Sequence, residues 1–367
     1  MSAASDRDPF FDNAKFLLVV LVALGHSWDQ IAGTDAVRAL HTVVYGFHMP
    51  AFVLLSGYFS RSFSFRPGQV RRLASGVLAP YLIFETIYCA VYAEVRGTPF
   101  SITPTAPLYL LWFLIALFVW RLTAPMWKAV RFPVAVAVVI SLAAGMTKMS
   151  YDLALPRVLM FLPWFVLGLR MRPEHFALLR TRTARIWALP AILVALAVAY
   201  VLAPGPDDNW LSMFVGYGEL GVSPGTYLAL RLVLFAVSAV LVAAFFALVP
   251  HRRTFFTTLG AVTLYPYLLH GLLIRLGEGA GVFAPLQAHG LPGEALLSLC
   301  AITAVFLLST PPVRKLTRPL VEPRFPRWLI PKDSGQKASA EQVSTDERKP
   351  EGSETGLAVS GAMAQRR

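Results

Sequence analysis

The sequence predicts an all-α, polytopic integral membrane protein with about ten transmembrane helices and with N and C termini cytoplasmic. Three observations carry this reading. Of the 367 residues, 56% are hydrophobic and only 15% are charged, where soluble domains carry roughly a quarter. The apolar residues come in blocks of about 18 to 25, the length a helix needs to cross about 30 Å of hydrocarbon. Lys and Arg then divide unevenly between the two sides those blocks define. A soluble enzyme, a secreted domain and a porin-like barrel all fit poorly. The barrel needs alternating segments of about ten residues, and these blocks are apolar on every face.

Taken in order, the expected spans are 14–31, 37–59, 70–95, 106–124, 129–146, 153–170, 184–203, 226–249, 255–275 and 294–313. Asp6, Asp8 and Asp12 precede or open the first, Arg7 is the nearby cation before Lys15, and no small-residue cleavage site follows. It is therefore expected to stay in the mature protein rather than serve as a signal peptide. Of the 33 Lys and Arg, six (Arg38, Arg96, Lys148, Arg157, Arg231 and Arg275) fall on or near one side and the other 27 on the opposite one. The positive-inside rule makes the richer side cytoplasmic, and an even number of spans puts both termini there. The net charge of +12 thus reads as orientation and attraction to anionic lipid, with no nucleic-acid partner expected. A membrane-embedded domain over 1–330 is expected to precede a disordered cytoplasmic tail over 331–367, rich in Ser, Gly, Glu, Lys and Gln. Cys89 and Cys300 both lie in apolar blocks and read as small core residues. His41 and His48 are two turns apart, whereas a helical metal pair uses i and i+4, so no metal is expected.

Ionisable groups inside a span are the informative ones, because a central charge costs about 2.5 to 3.5 kcal/mol even on lenient scales. The candidates are His26, His48, Glu85, Arg231 and His270. At about 1.5 Å of rise per residue, His26 and His48 lie about 17 Å, and Glu85 and His270 about 22 Å, from the cytoplasmic ends of their helices. Such a layer suits a polar chamber in which an imidazole and a carboxylate move protons. Each residue also has a plainer reading. His26, beside Trp28, suits an interfacial anchor. Glu85 suits orienting a histidine, neutralising Arg231 or hydrogen-bonding to a neighbouring helix as a structural polar group, and Asp29, three residues after His26, is an alternative orienting partner. Arg231, near the outer end of its helix, is expected to snorkel to the surface. The pair Arg71 and Arg72, at a helix start, suits a grip on a phosphate-bearing cofactor.

The strings DNAKFLLVVLVALGH (Asp12 to His26) and FHMPAFVLLSGYFSR (Phe47 to Arg61) come first. Arg71 and Arg72 follow, leading to Ala79, Pro80 and Tyr81, then LWFLIALF (Leu111 to Phe118) and TLYPYLLHG (Thr263 to Gly271). In order and spacing these resemble the membrane-bound acyltransferase-3 family over about residues 8–315, most of all its fucose 4-O-acetylase-like branch. The resemblance implies a ten-helix plasma-membrane enzyme that transfers an acyl group, usually acetyl from acetyl-CoA, to a hydroxyl of a sugar, glycan or glycosylated small molecule. By position it implies that His26 is catalytic and that Arg71 and Arg72 hold the CoA phosphates. Asp12, Asn13 and Lys15 match the motif at the cytoplasmic mouth, and His48, Ser56 and Gly57 the second-span motif. With it, His26 reads as general base, Glu85 or Asp29 as its orienting acid, and His48, Tyr267 or His270 as a hydrogen-bond donor to the tetrahedral oxyanion. Loop 203–225, with Trp210 and Tyr217, suits acceptor recognition. The rival class is a proton-coupled transporter or flippase using the same His and Glu residues as a relay.

Overall fold

The structure is a computed structural model that describes residues 7–202 and 209–323. The expected tail over 331–367 and the start of the 203–225 loop lie outside those residues. Among the described residues every regular element is helical. In chain order they are α1 (Pro9–Trp28), α2 (Asp35–Phe59), α3 (Pro67–Arg96), α4 (Tyr109–Ala129), α5 (Pro133–Ala144), α6 (Asp152–Met160) and α7 (Leu162–Arg170). They continue with α8 (Pro173–Leu179), α9 (Arg182–Val201), α10 (Pro224–Leu248), α11 (Leu264–Gly279), α12 (Phe283–Ala288), α13 (Leu291–Leu308) and α14 (Pro311–Val321).

Seven of these, α1, α2, α3, α4, α9, α10 and α13, are long and apolar enough to cross a membrane. An eighth forms if α6 and α7, bent by 59° to one another, act as one span. The break falls at Phe161, two residues before Pro163, whose ring and missing N–H cannot continue a helix from the preceding turn. Two expected spans differ in form. The segment 129–146 holds only the 12-residue α5, about 18 Å long and short of a full crossing. The segment 255–275 opens with a 3₁₀ turn at Thr257–Ala261 and is α-helical only from Leu264. On α9, Ile186, Leu189, Leu193, Val194, Val198 and Val201 are all exposed. A continuous apolar face of this kind suits lipid rather than water.

Close packing of α2 on α7 builds the centre of the bundle. A Cβ on Gly57 would collide with the Phe165 carbonyl, and one on Gly168 with the Leu54 carbonyl, so the two glycines set the distance between the helices. Pro50 interrupts α2 and leaves the Gly46 carbonyl without its helical donor. Ser238 of α10 fills the gap, its hydroxyl donating to Gly46 O at 2.5 Å.

Two sequence expectations are corrected here. Arg231 does not snorkel; it is 1% exposed and donates from Nη1 to Trp210 O at 2.7 Å, with the Trp210 and Tyr227 rings 5.4 and 5.1 Å from its guanidinium. A backbone carbonyl and two π faces lie nearer than the surface, and Arg231 pins the 210–213 turn. Cys89 is buried as expected, but Cys300 is exposed, on a face of α13 that other helices leave uncovered.

Candidate active site

Helix α1 ends at Trp28, and α2 begins six residues after Asp29 and runs back alongside it. That reversal brings the end of one helix onto the first turns of the other. Asp29, the residue after α1, lies opposite His41 and Tyr45, which are four apart on one face of α2. Asp29 Oδ1 accepts from His41 Nε2 at 2.7 Å, and Oδ2 accepts from the Tyr45 hydroxyl at 2.5 Å and from His26 Nδ1 at 3.3 Å. Burial opposes the charge on Asp29, but the bonds from His26, His41 and Tyr45 outweigh it and hold the carboxyl well below the usual carboxylate range. Gly25 permits this arrangement, because a Cβ there would stand 2.8 Å from the Tyr45 ring.

The carboxylate can only accept, so the proton in that bond sits on His26 Nδ1, and in the neutral ring Nε2 carries the lone pair. His26 packs against Tyr109 at 4.9 Å between ring centroids and against His270 at 5.7 Å. Tyr109 adopts φ +52°, a left-handed conformation costing about 1–3 kcal/mol for such a residue and typical of functional sites. The preceding residue explains how it is held: Glu85 accepts from Leu108 N–H at 3.1 and 3.3 Å. Arg275 lies 4.0 Å from the Tyr109 ring centroid.

His26, Asp29, Tyr45, His48, Tyr109 and Trp112 line a cavity of about 720 Å³ together with Tyr151, Arg157, Ser212, Phe214 and Glu219. A volume in this range suits a small-molecule site. His48 is buried, and its Nδ1 donates to Val44 O at 2.8 Å. His270 is buried too, with Nδ1 donating to Pro266 O at 2.8 Å and Nε2 lacking a partner. In the neutral rings Nε2 is therefore the acceptor, that of His270 sealed inside the protein, and the Tyr267 hydroxyl already donates to Leu110 O. None of the three expected oxyanion donors has a free hydrogen in this arrangement.

The remaining expected residues separate from the cavity. Glu85 neither contacts His26 nor neutralises Arg231; its oxygens serve the Leu108 N–H and lie 3.8 Å from Cys89 Sγ. Asn13 spends its whole hydrogen-bonding capacity on the chain: Nδ2 donates to Pro250 O and Arg252 O at 2.9 and 3.0 Å, and Oδ1 accepts from the Thr257 and Thr254 hydroxyls at 2.7 and 3.2 Å. It is a staple between α1 and the 250–257 turn, with nothing left for a cofactor. Lys15 pairs with Asp12 at 2.7 Å. Arg71 and Arg72 are exposed in the second turn of α3, with no ion-pair or hydrogen-bond partner among the described residues. Ser56 bonds back to Phe52 O within its own helix.

Sequence reasoning missed Tyr45, Tyr109 and Arg157 as cavity residues. Tyr45 was within reach, since 41, 45 and 48 fall on one helical face. Tyr109 follows an irregular loop and carries no periodic signal. Arg157 was counted only as an outer-side cation, although it stands alone in an apolar stretch. No group of three or more His, Cys, Asp or Glu fit for a metal occurs among the described residues.

A family model described as an acyltransferase domain, that of the acyltransferase-3 family, matches residues 8–312. The nodulation protein NolL of Mesorhizobium japonicum (strain LMG 29417 / CECT 9101 / MAFF 303099) is 34% identical over 112 residues, which cover 28% of this chain and 30% of NolL. The chain thus spans less than a third of that relative's length. No solved structure matches.

Proposed function

The chain belongs to the acyltransferase-3 family, and from that premise we propose that it is an O-acetyltransferase of the plasma membrane in which His26 is the general base. The observation that carries the proposal is the His26–Asp29 pair. Asp29 fixes the Nδ1–H tautomer, and Nε2 is left as a proton acceptor on a cavity large enough for a sugar. Acetyl-CoA is the donor substrate, approaching from the basic cytoplasmic side past Arg71 and Arg72. The acceptor is a hydroxyl of a sugar, glycan or glycosylated small molecule.

In the step itself, Nε2 of His26 takes the acceptor O–H proton as that oxygen attacks the thioester carbonyl. The tetrahedral intermediate collapses with cleavage of the C–S bond, and the CoA thiolate recovers the proton from the imidazolium. Asp29 stabilises the charged ring during that interval. Tyr45 and His41 act on Asp29, not on substrate, and are positioning residues. His48, which lines the cavity, suits a hydroxyl group of the bound sugar, whereas the unpartnered Nε2 of His270 is sealed inside the protein.

A CoA-release assay on purified protein against a panel of glycans and glycosylated metabolites tests this. Acceptor-dependent release of free CoA is expected. Movement of solute across proteoliposomes with no CoA turnover would instead favour the transporter reading.

A further inference from the structure

Arg157 is the cation of the cavity lining, and no acid among the described residues forms an ion pair with it. Its Nε donates to Ser212 O at 3.1 Å and its Nη1 to the Tyr151 hydroxyl at 2.8 Å. The Trp112, Phe214 and Tyr151 rings lie 4.8, 5.0 and 5.7 Å from the guanidinium. Among the described residues no carboxylate pairs with it; of the two acids that line the cavity, Asp29 already accepts from three donors and Glu219 accepts from the Gly216 N–H at 3.3 Å. Two of five guanidinium N–H groups are therefore used. Arg231 is the instructive contrast, because its unused Nε and Nη2 are sealed inside the protein, whereas the unused donors of Arg157 are not, and the side chain lines the cavity.

We propose that Arg157 recognises an oxyanion on the acceptor, a carboxylate or phosphate borne by a sugar whose ring lies against Trp112 and Phe214. The word acceptor rests on the acyl-transfer reading; the anion site does not. A planar guanidinium held from two sides presents the fork that such a group fits, and a cation with no carboxylate partner gains from an anionic ligand. His26, packed against Tyr109 and His270, stays free for the hydroxyl.

The test is ligand binding to the purified full-length protein in detergent, with methyl β-glucuronide, glucose 6-phosphate and methyl β-glucoside as probes. The charged probes are expected to bind about tenfold or more tightly than the glucoside, with a preference that shrinks as salt rises. Arg157→Gln is expected to lose the preference and Arg157→Lys to keep part of it. His26→Gln is expected to keep the preference while losing CoA release, which separates this site from the base. The proposal is overturned if the glucoside binds as tightly as the charged probes, if no probe binds, or if Arg157→Gln retains the preference. Arg157-dependent preference for succinyl-CoA over acetyl-CoA, without any among the sugars, would place the anion on the donor and overturn it equally. Should Arg157→Gln fail to fold, the wild-type probe ratio and its salt dependence decide.

Discussion

Asp29 accepts from His41 at Oδ1 and from His26 and Tyr45 at Oδ2, so an amide removes the acceptor for one or two of these donors and the negative charge from all three bonds. Asp29→Asn puts N–H donors where donors already point, frees the His26 tautomer and removes the charge that stabilises the imidazolium. The expected result is a loss of roughly 10²-fold or more in kcat with KM little changed, read by steady-state CoA release. The same carboxyl has a pH signature. Its proton affinity is depressed by folding, so its stabilising contribution is present above the ordinary value of 3.8 and is lost as the pH falls below it. The thermal midpoint of the wild type is expected to drop over that acid range more than that of Asp29→Asn; parallel curves would contradict it. Glu85 was legible as a buried acid, but its partner was not: the Leu108 N–H belongs to an irregular loop with no pattern to place it. Glu85→Ala leaves that N–H unsatisfied at a cost of about 1–3 kcal/mol. It is expected to lower activity through Tyr109, with Glu85→Gln milder because an acceptor oxygen remains.

At the scale of elements, hydropathy located the seven helices long and apolar enough to cross a membrane, because a span must be continuously apolar whatever it packs against, and passed over the short α8, α12 and α14. It did not show where helices break or approach. The bend between α6 and α7 lies within a uniformly apolar run, and only Pro163 marked it. The glycine contacts of α2 with α7 depend on two segments more than a hundred residues apart, and nothing local in FVLLSGYF announces the partner. Gly57→Leu must push α2 from the Phe165 carbonyl. An overpacking cost of about 1–3 kcal/mol or more is expected, seen as a lower thermal midpoint in detergent, while Gly97→Leu serves as a control for space, since nothing stands within 4 Å of its Cβ position. That control carries its own backbone penalty at φ +62°, so Gly76→Leu, equally open and at an ordinary φ, is the cleaner comparison. A midpoint unchanged by Gly57→Leu would contradict the packing described.

For the whole molecule, charge asymmetry and the family motifs led to a basic mouth for the donor and a polar chamber for the chemistry. The cavity is lined from α1, α2, α4 and α6 with the 106–108, 147–151 and 209–219 segments, its acids are Asp29 and Glu219 rather than Glu85, and its cation is Arg157. The sequence could place His26 and Asp29 together because three residues separate them on one turn; it had no means of bringing Arg157 across the bundle. The proposed orientation is testable by thiol labelling in a variant lacking Cys89 and Cys300. A cysteine at Ser64 is expected to react only from the cytoplasmic side, and one at Ser150 only from the other. The most direct measurement of the central proposal is CoA release by purified His26→Ala in the presence of a working acceptor. Turnover reduced to background, with the thermal midpoint and membrane insertion of the wild type preserved, is the expected result. Wild-type turnover in that variant would contradict His26 as the base.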